Sequence, residues 1–220
     1  MSRVASVAGS AIGTVFGAVA ALRGTKPLHP RGSVHPAELV RTGARTPWGV
    51  PWLDEPGVDR GIVRLSRSIG LPQGWPDVLG LAFRFTDRTG DHDLLMASTR
   101  TAPVLRHAVL LRVDPFATAY SSSFTYRTPR GPVVLAVEPR GQRSFALHVA
   151  HPWGDWQELG LLRVAEDLGD PPVDLDAVRN SLPGLAMSPV LAALREPSYA
   201  QARAHRPDAT SVRRGGPAAD

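Results

Sequence analysis

One stretch decides the predicted fold. It runs from Gly61-Ile-Val-Arg-Leu-Ser-Arg67 through Asp77-Val-Leu-Gly-Leu-Ala-Phe-Arg-Phe85 to Asp93-Leu-Leu-Met-Ala-Ser-Thr99. In its middle run, large apolar side chains recur at every second position. This period of two predicts a β-strand with one face in a hydrophobic core. Asp87-Arg-Thr-Gly90 is typical of a hairpin turn. The sequence therefore predicts a β-sheet core.

Further apolar runs follow this stretch, separated by turns rich in Gly and Pro. They are His107–Val113, Pro132–Glu138, Arg143–Ala150 and Trp156–Val164. About seven strands at this spacing are typical of an antiparallel barrel or sandwich. The positions expected in the core are Leu79, Leu81, Phe83, Phe85, Phe145, Leu147 and Val149.

Composition narrows the class of protein. The 220 residues suit one domain with tails, and the 21 Gly and 21 Pro favour short elements joined by turns. The absence of Cys excludes disulfides and thiolate metal sites. The net charge of +5 is spread along the chain without a run of Lys or Arg. A nucleic-acid partner is therefore not expected.

Residues 4–22 form an uncharged stretch in which Gly9, Gly13 and Gly17 recur every fourth position. Such a small-residue pattern lets helices approach closely. The preferred interpretation is an N-terminal apolar helix within residues 1–23 that packs on its own domain or on a surface. A membrane anchor and a secretory signal are the alternatives. The expected location is the cytoplasm, with contact to a membrane surface through residues 4–22 left open.

The rest of the chain divides into three parts. Residues 24–60 are rich in Pro and predict an extended arm, in which Trp48 and Trp52 cover the core and His35 lies in a loop. Residues 61–208 contain the barrel and then C-terminal helices. The first helix is expected to begin at Asp174 and end near Pro183, the second to follow Ser188-Pro189, and helix to resume at 199–203, so that residues 174–196 are largely helical. Residues 209–220 are expected to be a disordered tail.

Four motifs along residues 26–100 resemble those of haem catalases. His29-Pro-Arg-Gly32 is similar to the family's distal H-A-x-G, and Val63-Arg-Leu-Ser66 to its V-R-F-S. Asp77–Phe85 and Gly90–Leu95 follow in the family's order. The resemblance implies a mainly β, α+β fold: an antiparallel catalase-like β-barrel, as also in allene oxide synthase-like relatives, with an N-terminal helix and C-terminal helices.

The resemblance also implies residue roles on the distal side. His29 stands where the family has its distal histidine, the catalytic acid and base. Lys26 and Arg64 stand where the family has arginines that bind haem propionates. Ala97-Ser98 replaces the family's Asn pair.

On the proximal side, Arg195, Tyr199 and Arg206 reproduce the spacing of the family's Arg, Tyr and Arg. The resemblance implies Tyr199 as the axial metal ligand, since tyrosinate is a known haem ligand. Arg195 would stabilise the phenolate, and Arg206 would pair with a propionate.

Two classes of function follow. The first is a minimal haem-binding, catalase-like oxidoreductase whose partner is a small-molecule peroxide or a lipid hydroperoxide. The second is a haem-free barrel that serves as a binding or membrane-associated module. A phosphodiesterase-type hydrolase is the least favoured class, because the sequence contains no metal cluster or phosphate-binding loop. A homo-oligomer is left open.

Overall fold

The hairpin predicted at Asp87–Gly90 has the predicted form. The structure, a computed structural model, describes residues 31–187. Strand β3 spans Asp77–Asp87 and β4 spans Gly90–Thr99, and the two pair antiparallel with Phe85 opposite His92. The connection is two residues long, and the Asp87 carboxylate accepts a hydrogen bond from the Thr89 amide over 2.7 Å. Gly90 adopts a φ of +129°, which favours glycine.

The remaining elements are mostly strands. Those before the hairpin are β1 (Arg31–Arg41), the four-residue helix α1 (Pro51–Asp54) and β2 (Gly57–Arg67). Those after it are a 3₁₀ turn (Leu105–His107), β5 (Leu111–Arg112), β6 (Ala119–Ser121), β7 (Tyr126–Thr128), β8 (Gly131–Pro139), β9 (Ser144–Ala150), β10 (Gln157–Val164) and β11 (Ala186–Met187).

Eight of these strands close into an antiparallel barrel. The order around the wall is β8–β6–β4–β3–β2–β1–β10–β9, and β9 pairs with β8 to complete the ring. Strand β1 comes from the segment interpreted as an arm, and it joins β2 to β10 with Ala37 opposite Val164. Closure leaves these strands without a free edge. The predicted antiparallel barrel is confirmed.

Apolar side chains from the inward positions of the wall fill the barrel. All seven residues predicted for the core are buried. Phe83 and Phe85 stack with ring centroids 5.3 Å apart, and Trp52 of α1 stacks on Phe85 at 5.8 Å. Trp48 is also buried in this core, so the prediction that both tryptophans cover it is confirmed. Each fully buried side chain of this size contributes about 1.5–3 kcal/mol.

The prediction of a strand over His107–Val113 is wrong in extent. This segment contains the end of the 3₁₀ turn and only the two-residue strand β5. The reason is that two side chains of β4 form hydrogen bonds with carbonyl oxygens in or next to this segment. The Thr99 hydroxyl contacts the carbonyl oxygens of Leu105 and Ala108, and the Ser98 hydroxyl donates to that of Leu110.

The helix predicted from Asp174 is absent from residues 174–187. In its place lie a single turn at 177–179 and strand β11, which pairs with β7. Asp176, not Asp174, accepts hydrogen bonds from the amides of Val178 and Arg179. The turn stops there because two buried leucines, Leu182 and Leu185, follow it and pack into the barrel core.

Other predictions concern segments that the structure does not describe. They are the N-terminal helix within residues 1–23, the helices predicted over residues 188–196 and 199–203, and the tail 209–220.

Candidate functional site

Arg64 is the one predicted site residue that lies within residues 31–187. The predicted distal histidine His29 and the propionate-binding Lys26 precede them. Arg195, the predicted iron ligand Tyr199 and Arg206 follow them. All five therefore lie outside the described residues, and their roles stay predictions.

The guanidinium of Arg64 lies on the outer face of the barrel wall and holds a carboxylate. Arg64 alternates with Val63 and Leu65, which both face the core, so its own side chain points outward. Its Nε and Nη2 donate to Asp170 Oδ1 over 3.3 and 3.0 Å. The other carboxylate oxygen, Oδ2, accepts the amide of Gly32 at 2.9 Å. We call Arg64, Gly32 and Asp170 the Arg64 site.

Gly32 is required at this site by close approach rather than by backbone conformation. A Cβ added to Gly32 would lie 2.8 Å from Nη2 of Arg64 and 2.7 Å from the carbonyl oxygen of Leu65. Any side chain here would push against backbone and displace the guanidinium. Strand β1 thus brings Gly32, three residues after His29, directly against Arg64.

Asp170 belongs to a segment, residues 165–185, that crosses the outside of the barrel; we call it the strap. Its first residues continue the sheet beside β1 where β10 ends. The Val34 amide donates to the Gly169 carbonyl over 2.7 Å, and the Leu168 amide to the Val34 carbonyl over 2.8 Å. Gly169, with a φ of +84°, then turns the chain so that Asp170 reaches Arg64 across β1.

A second carboxylate, Asp93 on the outer face of β4, fixes the middle of the strap. Asp93 is fully buried and accepts the Nε and Nη2 of Arg84 over 2.7 and 2.6 Å. It also accepts the Asp176 amide at 2.7 Å and the Asn180 side-chain amide at 2.8 Å. The hydrogen bond to Asp93 raises the pKa of Arg84. We call this arrangement the Asp93 site.

Ser98 belongs to the Ala97-Ser98 pair that the sequence resemblance aligns with the family's Asn pair, and its hydroxyl is fully engaged in hydrogen bonds within the fold. Ser98 Oγ accepts the amide of Leu79 over 3.0 Å and donates to the carbonyl of Leu110 over 2.6 Å. The side chain is completely buried. It therefore joins β3 and β4 to the following loop and has no donor left for a ligand.

His35 was interpreted as a loop histidine, and this is wrong, because it is buried in strand β1. Arg143 Nη2 lies 2.9 Å from Nδ1 of the ring, and a guanidinium can only donate. Nδ1 also lies 3.2 Å from the carbonyl oxygen of Ala165, and Nε2 lies 2.8 Å from Ser33 Oγ. Arg143 also lies 4.8 Å above the ring of Phe116. Both ring nitrogens of His35 thus have polar partners within the fold.

On the far wall of the barrel, His148 of β9 lies on the outer face but is buried. Within residues 31–187, neither of its ring nitrogens has a hydrogen-bond partner, although Nε2 lies 3.4 Å from the Glu138 carboxylate. Burial lowers the pKa of His148, and the charge of Glu138 opposes that shift. This histidine is therefore kept neutral by its surroundings.

Other chemical features are sparse over residues 31–187. No group of three or more His, Cys, Asp or Glu in this part of the chain is arranged to hold a metal ion. An open depression of about 330 Å³ is lined by residues that include Arg100, Thr101, Arg112 and Thr118. None of the helices in this part of the chain has the length and apolar character that a membrane span requires.

Sequence reasoning missed Asp170, Asp93 and Arg84. The position of Arg84 was a usable signal, because it is the one charged residue between Val78 and Phe85 of a buried strand. A charge at such a position requires a partner. No local pattern identifies Asp170, which is 106 residues from Arg64.

Comparison with solved structures shows that this barrel is the catalase fold. The chain is similar to a fungal catalase, with a TM-score of 0.57 and 12% identity, covering 82% of this chain and 59% of that catalase. It is similar to catalase A from Saccharomyces cerevisiae, with a TM-score of 0.59 and 11% identity, covering 82% and 60%. The chain thus matches about 60% of the length of these catalases. No family model and no curated protein matches it.

Proposed function

We propose that this chain is a haem-binding protein of catalase-like fold that acts on peroxide or on an organic hydroperoxide. The observation that supports the proposal most directly is the Arg64 site. It is a set of donors that holds a carboxylate on the wall of a catalase-like barrel, and one of these donors, the Gly32 amide, lies three residues after His29 in the sequence. Haem presents carboxylates through its two propionates.

The donors of the Arg64 site suit a propionate. Two guanidinium nitrogens and one backbone amide contact the two oxygens of Asp170, which serves as a stand-in for a ligand carboxylate. Charge-assisted hydrogen bonds of this kind are roughly twice as strong as neutral ones. By resemblance, Lys26 and Arg206 would hold propionate oxygens as well.

The remaining roles in this proposal fall on residues outside 31–187. When bound, haem supplies the redox chemistry of peroxide breakdown. Tyr199 would ligate the iron as a phenolate, with Arg195 one helical turn earlier stabilising the negative charge. His29 would take a proton from one peroxide oxygen and return it to the other.

The test is haem reconstitution of the full chain. Haem-supplemented protein is expected to show a Soret band typical of tyrosinate-ligated ferric haem, and Tyr199→Phe is expected to lose or shift it. His29→Ala should keep the band and lose peroxide turnover. Tyr126→Phe is the matched control, since Tyr126 lies in the barrel core. A wild-type protein without Soret absorption after supplementation would refute the proposal.

Ser98 favours a second candidate, a haem-free barrel that serves as a binding or membrane-associated module. The family's Asn side chain is replaced by a hydroxyl whose hydrogen bonds are all used within the wall. This candidate predicts no Soret band. If residues 4–22 contribute a membrane contact, the full chain should partition with vesicles and a chain that begins at Gly24 should not.

A further inference from the structure

We infer that Asp170 is an internal ligand of the Arg64 site, and that an external carboxylate binds there by displacing it. The inference rests on the proposed haem-binding function and concerns the regulation of that site. The strap would then control access to the propionate-binding arginine. Three features of the structure support this: the match of Asp170 to the donors, its exposure, and the independent attachment of the strap farther along.

Both carboxylate oxygens of Asp170 accept hydrogen bonds from the donors that a ligand carboxylate would need. Oδ1 faces Arg64, and Oδ2 faces the Gly32 amide. A second carboxylate at the same donors would meet the charge of Asp170 at close range. Because like charges at such distances repel, the two anions compete for the site instead of sharing it.

The carboxylate of the Arg64 site is accessible to solvent, whereas that of the Asp93 site is not. The Asp170 side chain keeps 36% of its accessible surface and that of Asp93 keeps 0%, whereas their partners Arg64 and Arg84 keep a similar 16% and 18%. Ion pairs with this much exposure contribute little, about 0–1 kcal/mol, whereas a buried pair cannot lose one partner without a large cost. An incoming anion can therefore exchange with Asp170 but not with Asp93.

The strap can release Asp170 without leaving the barrel. Beyond Asp170 it is held again by the Asp93 site, through the Asp176 amide and Asn180. Before Asp170 the chain turns at Gly169, around whose Cα there is open space. Release thus requires a local movement between residues 169 and 174, with both flanking attachments intact.

The first experiment measures haem affinity of the full chain by Soret titration. Asp170→Asn keeps the shape of the side chain and removes its charge, and it should bind haem about 3- to 10-fold more tightly than wild type, because the competitor is weakened. Glu166→Gln is the matched control: it removes one negative charge from the same strap at a side chain that is 92% exposed. Its affinity should equal that of wild type.

Haem dimethyl ester, which lacks free carboxylates, separates competition from other causes. With this probe, Asp170→Asn should show no gain over wild type. A gain retained with the ester would overturn the inference, as would equal haem affinity of wild type and Asp170→Asn. That second outcome leaves the proposed haem binding intact. Absence of haem binding in both proteins would overturn the proposed function and the inference together.

Amide hydrogen exchange gives a readout that is independent of activity. In haem-free protein, exchange of the Gly32 amide should be faster in Asp170→Asn than in wild type, because that amide loses its acceptor charge. On haem binding, the amides of Leu168 and Val34 should stay protected, while exchange of the Asp170 and Val173 amides should change; Pro171 and Pro172 between them have no amide hydrogen. Unchanged exchange at the amides of Gly32, Asp170 and Val173 would overturn the inference.

Discussion

The interior of the barrel and the strap on its outside are held by different forces. Inside, side chains such as Phe83, Phe85 and Phe145 are held by apolar packing rather than by hydrogen bonds. Outside, the strap is attached by carboxylates to donors far away in sequence, through Asp93 and Asp170. Apolar contacts do not depend on the direction from which two side chains meet, whereas a charged hydrogen bond requires a donor and an acceptor at a defined distance and angle. The interior therefore sets the fold, and the position of the strap depends on a few specific charged contacts.

Phe85→Ala tests the interior and should have the largest effect. Its ring contacts Phe83, Trp52 and His92, so truncation leaves a cavity at the centre of an aromatic cluster. The free energy of unfolding should fall by about 3–5 kcal/mol in urea denaturation. The control Arg88→Ala, at an exposed turn position, should change it by less than about 0.5 kcal/mol. A Phe85→Ala effect as small as that of the control would contradict the role assigned to the interior.

Asp93→Ala tests the strap at its buried attachment. It leaves the Arg84 guanidinium without its carboxylate and removes the acceptor of the Asp176 amide and of Asn180. We expect a loss of about 3 kcal/mol, the usual cost of breaking a buried pair. Hydrogen exchange should also show faster exchange at residues 174–180 while the interior strands keep their protection. Equal loss of protection in β3 and in the strap would mean that the two regions do not respond separately.

His148 tests a buried polar side chain on a part of the outer face that the strap does not reach. Because burial lowers the pKa of its ring below that of the unfolded chain, the unfolded state binds the proton more tightly. Its contribution to stability should be fully present above about pH 6.5, the ordinary histidine value, and should be lost as pH falls below it. Urea denaturation at pH 7.5 and 5.5 should show a larger drop for wild type than for His148→Gln. Equal drops would argue against a buried neutral histidine.

Asp170→Asn should have the smallest effect on stability. The pair with Arg64 is partly exposed and screened by solvent, so its removal should cost less than about 1 kcal/mol. Thermal unfolding of this variant beside Asp93→Ala measures the contrast within one strap. A cost equal to that of Asp93→Ala would show that both attachments are structural.

The sequence allowed the interior to be predicted because strands such as β3 repeat apolar residues with a period of two. Strand β1 was harder, since Gly32 and Pro36 interrupt its pattern. In the structure the Pro36 carbonyl accepts the Ala165 amide, so its missing N–H also faces the strap side, and no bond to β2 is lost. Strands β5, β6 and β7 are two or three residues long, too short to show any period.

The candidate site was predicted less completely than the barrel. A motif resemblance selected Arg64, but the carboxylate that Arg64 holds comes from 106 residues away. Such a contact depends on how the strap crosses the wall, and this path is set by Gly169, Leu182 and Leu185 together. No spacing along the chain encodes it. The helix predicted from Asp174 is wrong for the same reason, because tertiary contacts outweigh the local preference.

Closure of the barrel between β1 and β10 has a consequence for how the chain folds. Ala37 must find Val164, and Val34 must find Gly169, across more than half of the sequence. Contacts this distant slow folding, because the loop must be closed before they contribute. During synthesis, the β10-facing edge of β1 stays unpaired until the last barrel strand leaves the ribosome. At this unpaired edge the nascent chain is most prone to pair with another chain.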